Sequence, residues 1–436
     1  MSSRLFSIGI LISCLGLGSY CATAREPVVV RVQTNSPGVP PHSILLRSFL
    51  TAANGETFAI GRTFSDALGP TNIGPGDLAV AKFAANGDVL WTAQYDGHGL
   101  NDNPFLMATD AAGNFYVTGM SGVEEYVAEG VTLKYTGTGV PVWTNRVRAE
   151  GFGLPVSLSV DGGGNVAVIY RNYYYNSTGN LLVKLNADGT LGWQKDLGRP
   201  GDLSTANSGV GAWYLSSFDG AGNVVITGPS DLTNGPPDVL TTKFDPNGGH
   251  LWTRGYSARF DEGTGVVPDA ITIDRFGNIF IATFTGKSSP CCVVPFENVE
   301  RRTILSFTPS GELRWTNAVP DYSSGMYPAE LALPMLATDK QGAVYFAFVH
   351  RTAPAYEGNM TVAKFGRHGR RQWEKKLANV GDAFDHFNFA RFGPVTPRRV
   401  TLYQDAIHSV EEDDDDEIIR SPGVWTRTEL QIVERP

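Results

Sequence analysis

Short apolar runs alternate with polar turn residues along almost the whole chain. Ala270-Ile-Thr-Ile273 is one such run; Asp274 stops it, Gly277-Asn278 follow, and Ile279-Phe-Ile-Ala282 begins the next. Runs this short, bounded by Asp, Gly and Asn, predict strands joined by hairpins and not helices. Asp-x-x-Gly-Asn before an apolar run occurs at Asp110 to Asn114, Asp161 to Asn165, Asp219 to Asn223 and Asp274 to Asn278. Asp339 to Ala343 is a variant and Asn54-Gly55 a degenerate first copy. Asp suits turn amides and Gly relieves backbone strain, so each pattern reads as a tight turn between two strands.

A second segment alternates with the first. It runs from Lys82 to Trp91, Lys134 to Trp143, Lys184 to Trp193, Lys243 to Trp252, Ser306 to Trp315 and Lys364 to Trp373, always across nine positions. Gly87, Gly139, Gly189, Gly248, Gly311 and Gly369 each stand five past the first residue. These fixed offsets predict another hairpin, with Gly at a positive-φ turn position. The Trp side chains are expected to pack between neighbouring units. The Lys side chains are expected to lay their stems on apolar surface and keep their heads in water.

Two hairpins make a unit of four strands, A to D. The Trp residues that end these segments are 52, 50, 59, 63 and 58 apart. Four-stranded antiparallel units at that period predict an all-β chain folded as a β-propeller. Six units span about 44–377. Three strand-like runs follow, at Phe387 to Ala390, Arg399 to Tyr403 and Thr428 to Val433, and one precedes, at Pro27 to Val32. Pairing the early run with the late three predicts a composite seventh blade from 378–436 plus 27–33, which removes two exposed sheet edges. Seven blades is the expectation, and six blades with flanking decorations is the alternative.

Asp110-Ala-Ala-Gly-Asn-Phe-Tyr-Val-Thr-Gly119 and Asp219-Gly-Ala-Gly-Asn-Val-Val-Ile-Thr-Gly228 resemble the bacterial SBBP-type β-propeller repeat. The Gly-to-Trp half is also similar to repeats of quinoprotein-type propellers. The resemblance covers about residues 44–376 and implies a seven-bladed propeller. It implies no single activity, because propellers host many chemistries.

The 436 residues are 42% hydrophobic and 18% charged with 50 Gly, which suits a folded, turn-rich chain. Arg4, the apolar stretch Leu5 to Leu17 and Ala22-Thr-Ala24 read as a signal peptide over 1–24, leaving 25–436 as one propeller domain, secreted or periplasmic. Leu11-Ile-Ser-Cys14 resembles a lipobox and gives the alternative of a lipid anchor on Cys14. No later run is apolar enough for a transmembrane helix. The net charge is −9, and most of it lies in the acidic run Glu411 to Glu417. Without a basic excess, nucleic-acid binding has no electrostatic basis.

In such a ring the regular A–B and C–D turns share one face, and the variable B–C and D–A loops share the other, where binding is expected. Three loops stand out there. Adjacent Cys291 and Cys292 have Cα atoms about 3.8 Å apart, so a disulfide between them would be strained and reducible. It would be a rigid plate, a redox switch or a loop stiffener. The quinoprotein resemblance implies a place for such a pair beside a quinone cofactor. Arg171 with Tyr173, Tyr174 and Tyr175 could stack on a sugar or peptide, or pack on a neighbouring blade. Asp413, Asp414, Asp415 and Asp416 form a solvated loop by mutual repulsion, or a weak calcium site.

The sequence contains neither H-E-x-x-H nor G-x-S-x-G, and its seven His share no metal-ligand spacing. Inner-strand positions such as Ala108, Ser159, Ser217, Thr272 and Ala337 carry no charge. The expected function is therefore a binding or scaffold module for a carbohydrate, peptide or cell-envelope protein. A propeller enzyme, such as a quinone-dependent dehydrogenase, lactonase or lyase, is the alternative.

Overall fold

The computed structural model describes residues 28–35, 44–52, 54–63, 76–124, 127–147, 152–173, 179–197, 214–229, 239–257, 264–287, 299–320, 335–352, 357–377, 387–408, 411–414, 417–420 and 424–434. It contains seven four-stranded antiparallel sheets and one two-stranded ribbon. The first six sheets follow chain order as A-B-C-D. Blade 1 comprises Ile44–Thr51, Thr57–Thr63, Leu78–Phe83 and Val89–Tyr95. Blade 2 comprises Asp102–Thr109, Phe115–Glu124, Val127–Tyr135 and Pro141–Val147. Blades 3 to 6 begin with Phe152–Val160, Leu215–Phe218, Thr264–Ile273 and Met335–Thr338. Strand A of each blade touches strand A of the next around the whole circuit, so these strands line the axis of a closed β-propeller.

The seventh blade is composite, as the sequence predicts. Phe387–Thr396, Arg399–His408 and Val424–Val433 supply its first three strands, and Val28–Asn35 supplies the outer one. Val28 pairs with Val433 and Arg31 with Leu430. Leu430 in turn lies opposite Leu402 on the other side.

Both hairpins of a unit use the same turn. In the A–B turn of blade 2, Gly113 N donates to Asp110 O and Asp110 N to Asn114 O, each at 3.1 Å. Asp110 Oδ1 accepts from the amides of Ala112 and Asn114, and Oδ2 from the Asn114 side chain. Asp161, Asp219 and Asp274 repeat this set. The repeated Asp is thus consumed by its own turn.

The Trp ladder joins blades. Trp91 Nε1 donates to Gly137 O in the C–D turn of blade 2, at 3.2 Å. Trp143, Trp193, Trp252 and Trp315 make the same bond to Ala187, Pro246, Pro309 and Arg367. Gly139 has a φ of +86°, and a Cβ on it would stand 2.7 Å from the Trp91 ring. The glycine is therefore required twice, once by its turn and once by the indole lying on it.

The Lys positions correct the expectation that their heads sit in water. Lys82, Lys243 and Lys364 are buried. Lys82 Nζ lies 5.1 Å from the centre of the Phe58 ring, pairs with Glu56 at 2.9 Å and donates to Gly137 O at 3.0 Å. Lys243 pairs with Asp219 at 2.7 Å and donates to Pro309 O. A desolvated ammonium needs such partners, and the next blade's turn provides one. Apolar clusters such as Phe58, Leu78, Val80, Phe115 and Val131 fill the seam between blades.

Candidate functional site

Of the sequence-predicted residues, Arg171, Tyr173, Asp413 and Asp414 lie among the described ones. Arg171 lies near the end of strand B in blade 3, partly buried and paired with Asn180 of strand C. Tyr173 ends the same strand. Tyr174, Tyr175, Cys291 and Cys292 lie outside the described residues, as do residues 1–24, read above as a signal peptide. Glu411–Asp414 and Glu417–Arg420 pair as a two-stranded ribbon between strands B and C of blade 7, with Asp413 opposite Ile418 and Asp414 opposite Glu417. Asp415 and Asp416 lie outside the described residues.

One corner of the loop-rich face carries the most organised polar group among the described residues. It lies where blade 1 meets blade 2. Asp77 immediately precedes strand C of blade 1, Asp96 follows its strand D, and Asp102 opens strand A of blade 2. One carboxylate oxygen from each lies within 4.8 Å of the other two. Asp102 is fully buried, Asp77 half-buried and Asp96 exposed.

The loop 96–101 holds this shape by its own bonds. Gly99 N donates to Asp96 Oδ1 at 2.6 Å and Gly97 N to Asp102 Oδ2 at 2.7 Å. Asp102 N donates to Gly76 O, and Gly122 N to Asn101 O, both at 2.9 Å. Asn101 Oδ1 accepts from Arg62 and from Gly76 N. Asp77 N donates to Thr63 Oγ1 at 2.9 Å. Blade 2 props the loop from outside. Arg146 donates to Gly97 O at 3.1 Å, to Glu129 at 2.9 Å and to His98.

Burial and crowding set the electrostatics. Burial pushes the Asp102 carboxyl up, hydrogen bonds from Ser121 and the Gly97 amide oppose this without cancelling it, and the charges of Asp77 and Asp96 add to the rise. Burial also raises Asp77, with Asp96 adding to the effect and Arg62 opposing it. Tyr95 is raised by burial as well. Asp102 Oδ1, Ser121 Oγ and Tyr95 Oη are all buried and lack a well-formed hydrogen bond among the described residues. Ser121 is the direct strand partner of Asp102. Carboxylates, a hydroxyl and a phenol make an all-oxygen set, rich in acceptors and lacking sulfur.

Sequence reasoning missed this corner because its acids come from three elements. One signal does exist. Eight residues before the turn Asp, the other units carry Gly153, Gly211, Val266 or Leu331, and only the second carries an acid, Asp102.

Elsewhere, Asp269 pairs with Arg302 in blade 5, and Arg302 covers the Phe348 ring of blade 6 at 5.0 Å. Near the axis, Ser159 and Ser157 both reach Ser216, at 3.0 and 2.9 Å. Small hydroxyls thus occupy inner-strand positions there, in line with the uncharged residues expected.

No protein-family model and no curated protein matches the chain. The SBBP-type resemblance therefore rests on the repeat residues alone. Among solved structures, the chain is similar to a polysaccharide lyase, with 10% identity, TM-score 0.46 and 91% of each chain covered. It is also similar to the β-propeller domain of the Trilobed protease from Pyrococcus furiosus, with 9% identity, TM-score 0.44, and 83% of this chain and 89% of that one covered. A protein of unknown function from Dyadobacter fermentans gives 11% identity and TM-score 0.43 over 93% of this chain and 99% of its own. At such identities and scores the likeness says nothing of ligand or activity.

Proposed function

We propose that the chain is a non-catalytic binding propeller, exported to the periplasm or beyond, that takes a carbohydrate on its loop-rich face. The observation that carries this reading is where unsatisfied polarity lies. The repeated Asp side chains at the regular turns are bonded within those turns, and the repeated Lys and Trp groups reach turn carbonyls or carboxylates. Tyr95 Oη, Asp102 Oδ1, Ser121 Oγ, Asn180 Nδ2 and Thr285 Oγ1 are buried without a well-formed hydrogen bond among the described residues, and they lie towards the strand ends that feed the B–C and D–A loops. Buried polar groups left open in this way favour a polar ligand that can complete them. Sugar hydroxyls both donate and accept, which suits carboxylates beside an Arg and a Tyr.

The test is binding of the exported chain to a glycan panel, followed by calorimetry on a hit. Arg146→Ala, which loosens the 96–101 loop, is expected to weaken binding at least about tenfold, the scale of one charge-assisted contact. Binding to peptides or envelope proteins alone would overturn the ligand class. Turnover of a glycan would favour the enzymatic reading, for which the raised Asp102 carboxyl is the specific observation.

A further inference from the structure

We infer that the chain associates head to tail with a second copy of itself, the acidic run of one molecule meeting a basic sector on the turn face of the next. The sector emerges when equivalent turn positions are compared. The residue after the turn Asp is Ala111, Gly162 or Gly220 in blades 2 to 4, but Arg275 in blade 5 and Lys340 in blade 6. Three and six places past the Lys position, the C–D turn of blade 6 carries Arg367 and Arg370, whereas blades 1 to 4 carry no cation at either place. Blade 7 adds Arg398 and Arg399 where its strands A and B meet. All six side chains are exposed. Sister turns fold without them, so the fold has no need of this charge. Among the described turn residues of blades 5 to 7, Glu312 is the one exposed acid.

These turns adjoin one another. Arg275 lies over the Phe276 ring at 4.6 Å, and a Cβ on Gly342 of the next A–B turn would stand 3.3 Å from that ring. Arg314 Nη2 of blade 5 donates to Arg367 O at 2.8 Å. Lys364 Nζ of blade 6 donates to Pro397 O, next to Arg398. The positive sector is therefore continuous over three blades, and a field of one sign draws a partner of the other.

The chain itself carries such a partner. Seven consecutive acids, Glu411 to Glu417, occupy the ribbon inserted between strands B and C of blade 7. They lie on the opposite face from the sector. Strand B of blade 7 runs ten residues from Arg399 to His408, about 30 Å at roughly 3.3 Å per residue. A Debye length of about 8 Å screens the two charges from each other within one molecule. Both include blade 7, so stacking two copies with that blade in register brings acids and cations together. The sector also exposes Phe276 and Leu313, and the acids run on into Ile418 and Ile419, so an apolar component is available to the same contact. The two patches differ, which makes the contact heterologous and lets the stack lengthen. This contact does not rest on the carbohydrate reading.

The test is sedimentation velocity of the mature chain at rising concentration. In about 0.02 M salt the average sedimentation coefficient should climb with concentration, and it should return to the monomer value by about 0.5 M, where screening acts within roughly 4 Å. One variant carries Arg275→Ala, Lys340→Ala, Arg370→Thr and Arg398→Ala, exposed turn changes of the kind the sister turns already hold. Another carries Asp413→Asn, Asp414→Asn, Asp415→Asn and Asp416→Asn. Each alone should raise the Kd of self-association at least about tenfold. Mixed in equal amounts they should form a dimer and nothing larger, because one keeps the acids and the other keeps the cations. The inference is overturned if the wild type stays monomeric at low salt, if either variant associates as the wild type does, or if the mixture stays monomeric. Binding to phosphatidylglycerol vesicles that the first variant loses, without self-association, would overturn it in favour of a lipid surface.

Discussion

Glu434 accepts from Trp373 Nε1 at 2.7 Å, doing for the sixth Trp of the ladder what a turn carbonyl does for the five before it. The reason is topological. Strands C and D of blade 7 come from opposite ends of the chain, so no C–D turn joins them and no turn carbonyl is present. The carboxylate just past Val433 fills the vacancy and also meets Lys364 Nζ at 2.5 Å. Lys364 completes its set with Pro397 O at 2.7 Å.

Replacing Glu434 with Ala should therefore loosen the seam between blades 6 and 7. The two lost bonds involve charged groups, and the buried Lys364 is left with one partner fewer. A loss of about 2–4 kcal/mol is expected in urea unfolding. Glu434→Gln keeps a carbonyl acceptor and should lose less. Equal stability of wild type and E434A would remove the closing role of this side chain.

Gly139→Ala should cost about 2–4 kcal/mol. The left-handed backbone alone accounts for roughly 1–2 kcal/mol, and the approach to Trp91 adds an overpacking penalty. In a Trp91→Ala background the steric part should vanish and only the backbone part remain. A double-mutant cycle with no coupling would show that the indole does not press on this turn.

Acid should weaken the turns through Asp219. Burial raises its carboxyl, but hydrogen bonds from Asn223, Lys243 and backbone amides outweigh that and hold it below the ordinary value. The folded state then binds fewer protons than the unfolded state. Its contribution is complete above the unfolded value of about 3.9 and is lost as pH falls through the lower folded value. Asp110 behaves alike, its burial being outweighed by Asn114, Tyr116 and turn amides. Stability measured from pH 6 down to 2 should fall less steeply in Asp219→Asn than in wild type. A parallel fall in both would contradict this.

Removing residues 28–35 should expose the full edge of Val424–Val433. An open apolar edge invites pairing with another chain. Size-exclusion chromatography of the truncated protein should show oligomers or aggregate, together with a lower melting temperature. A monomer of unchanged stability would mean that the outer strand contributes little.

The wheel was legible because its rules repeat. The offset to Trp recurs in six blades and Asp-to-Asn in four, and each recurrence answers one local need, a turn or a seam. The composite blade was legible by strand arithmetic and by the cost of open edges. The Lys heads were not, since their partners are a ring and a carbonyl contributed by different strands, as Lys82 shows with Phe58 and Gly137. The corner at Asp77, Asp96 and Asp102 was illegible for the opposite reason. It occurs once, and only the meeting of two loops with a strand start brings its oxygens together. The acidic run drew attention through sheer charge density, yet strand pairing organises its backbone, and the three carboxylates that approach one another lie elsewhere.

The strand at 28–35 is synthesised early and its partner at 424–433 almost last. Until the late strand emerges, the early one has nothing to zip against, and the growing polypeptide stays an unlatched arc. Once the latch engages, prying the molecule open means lifting two distant stretches at once.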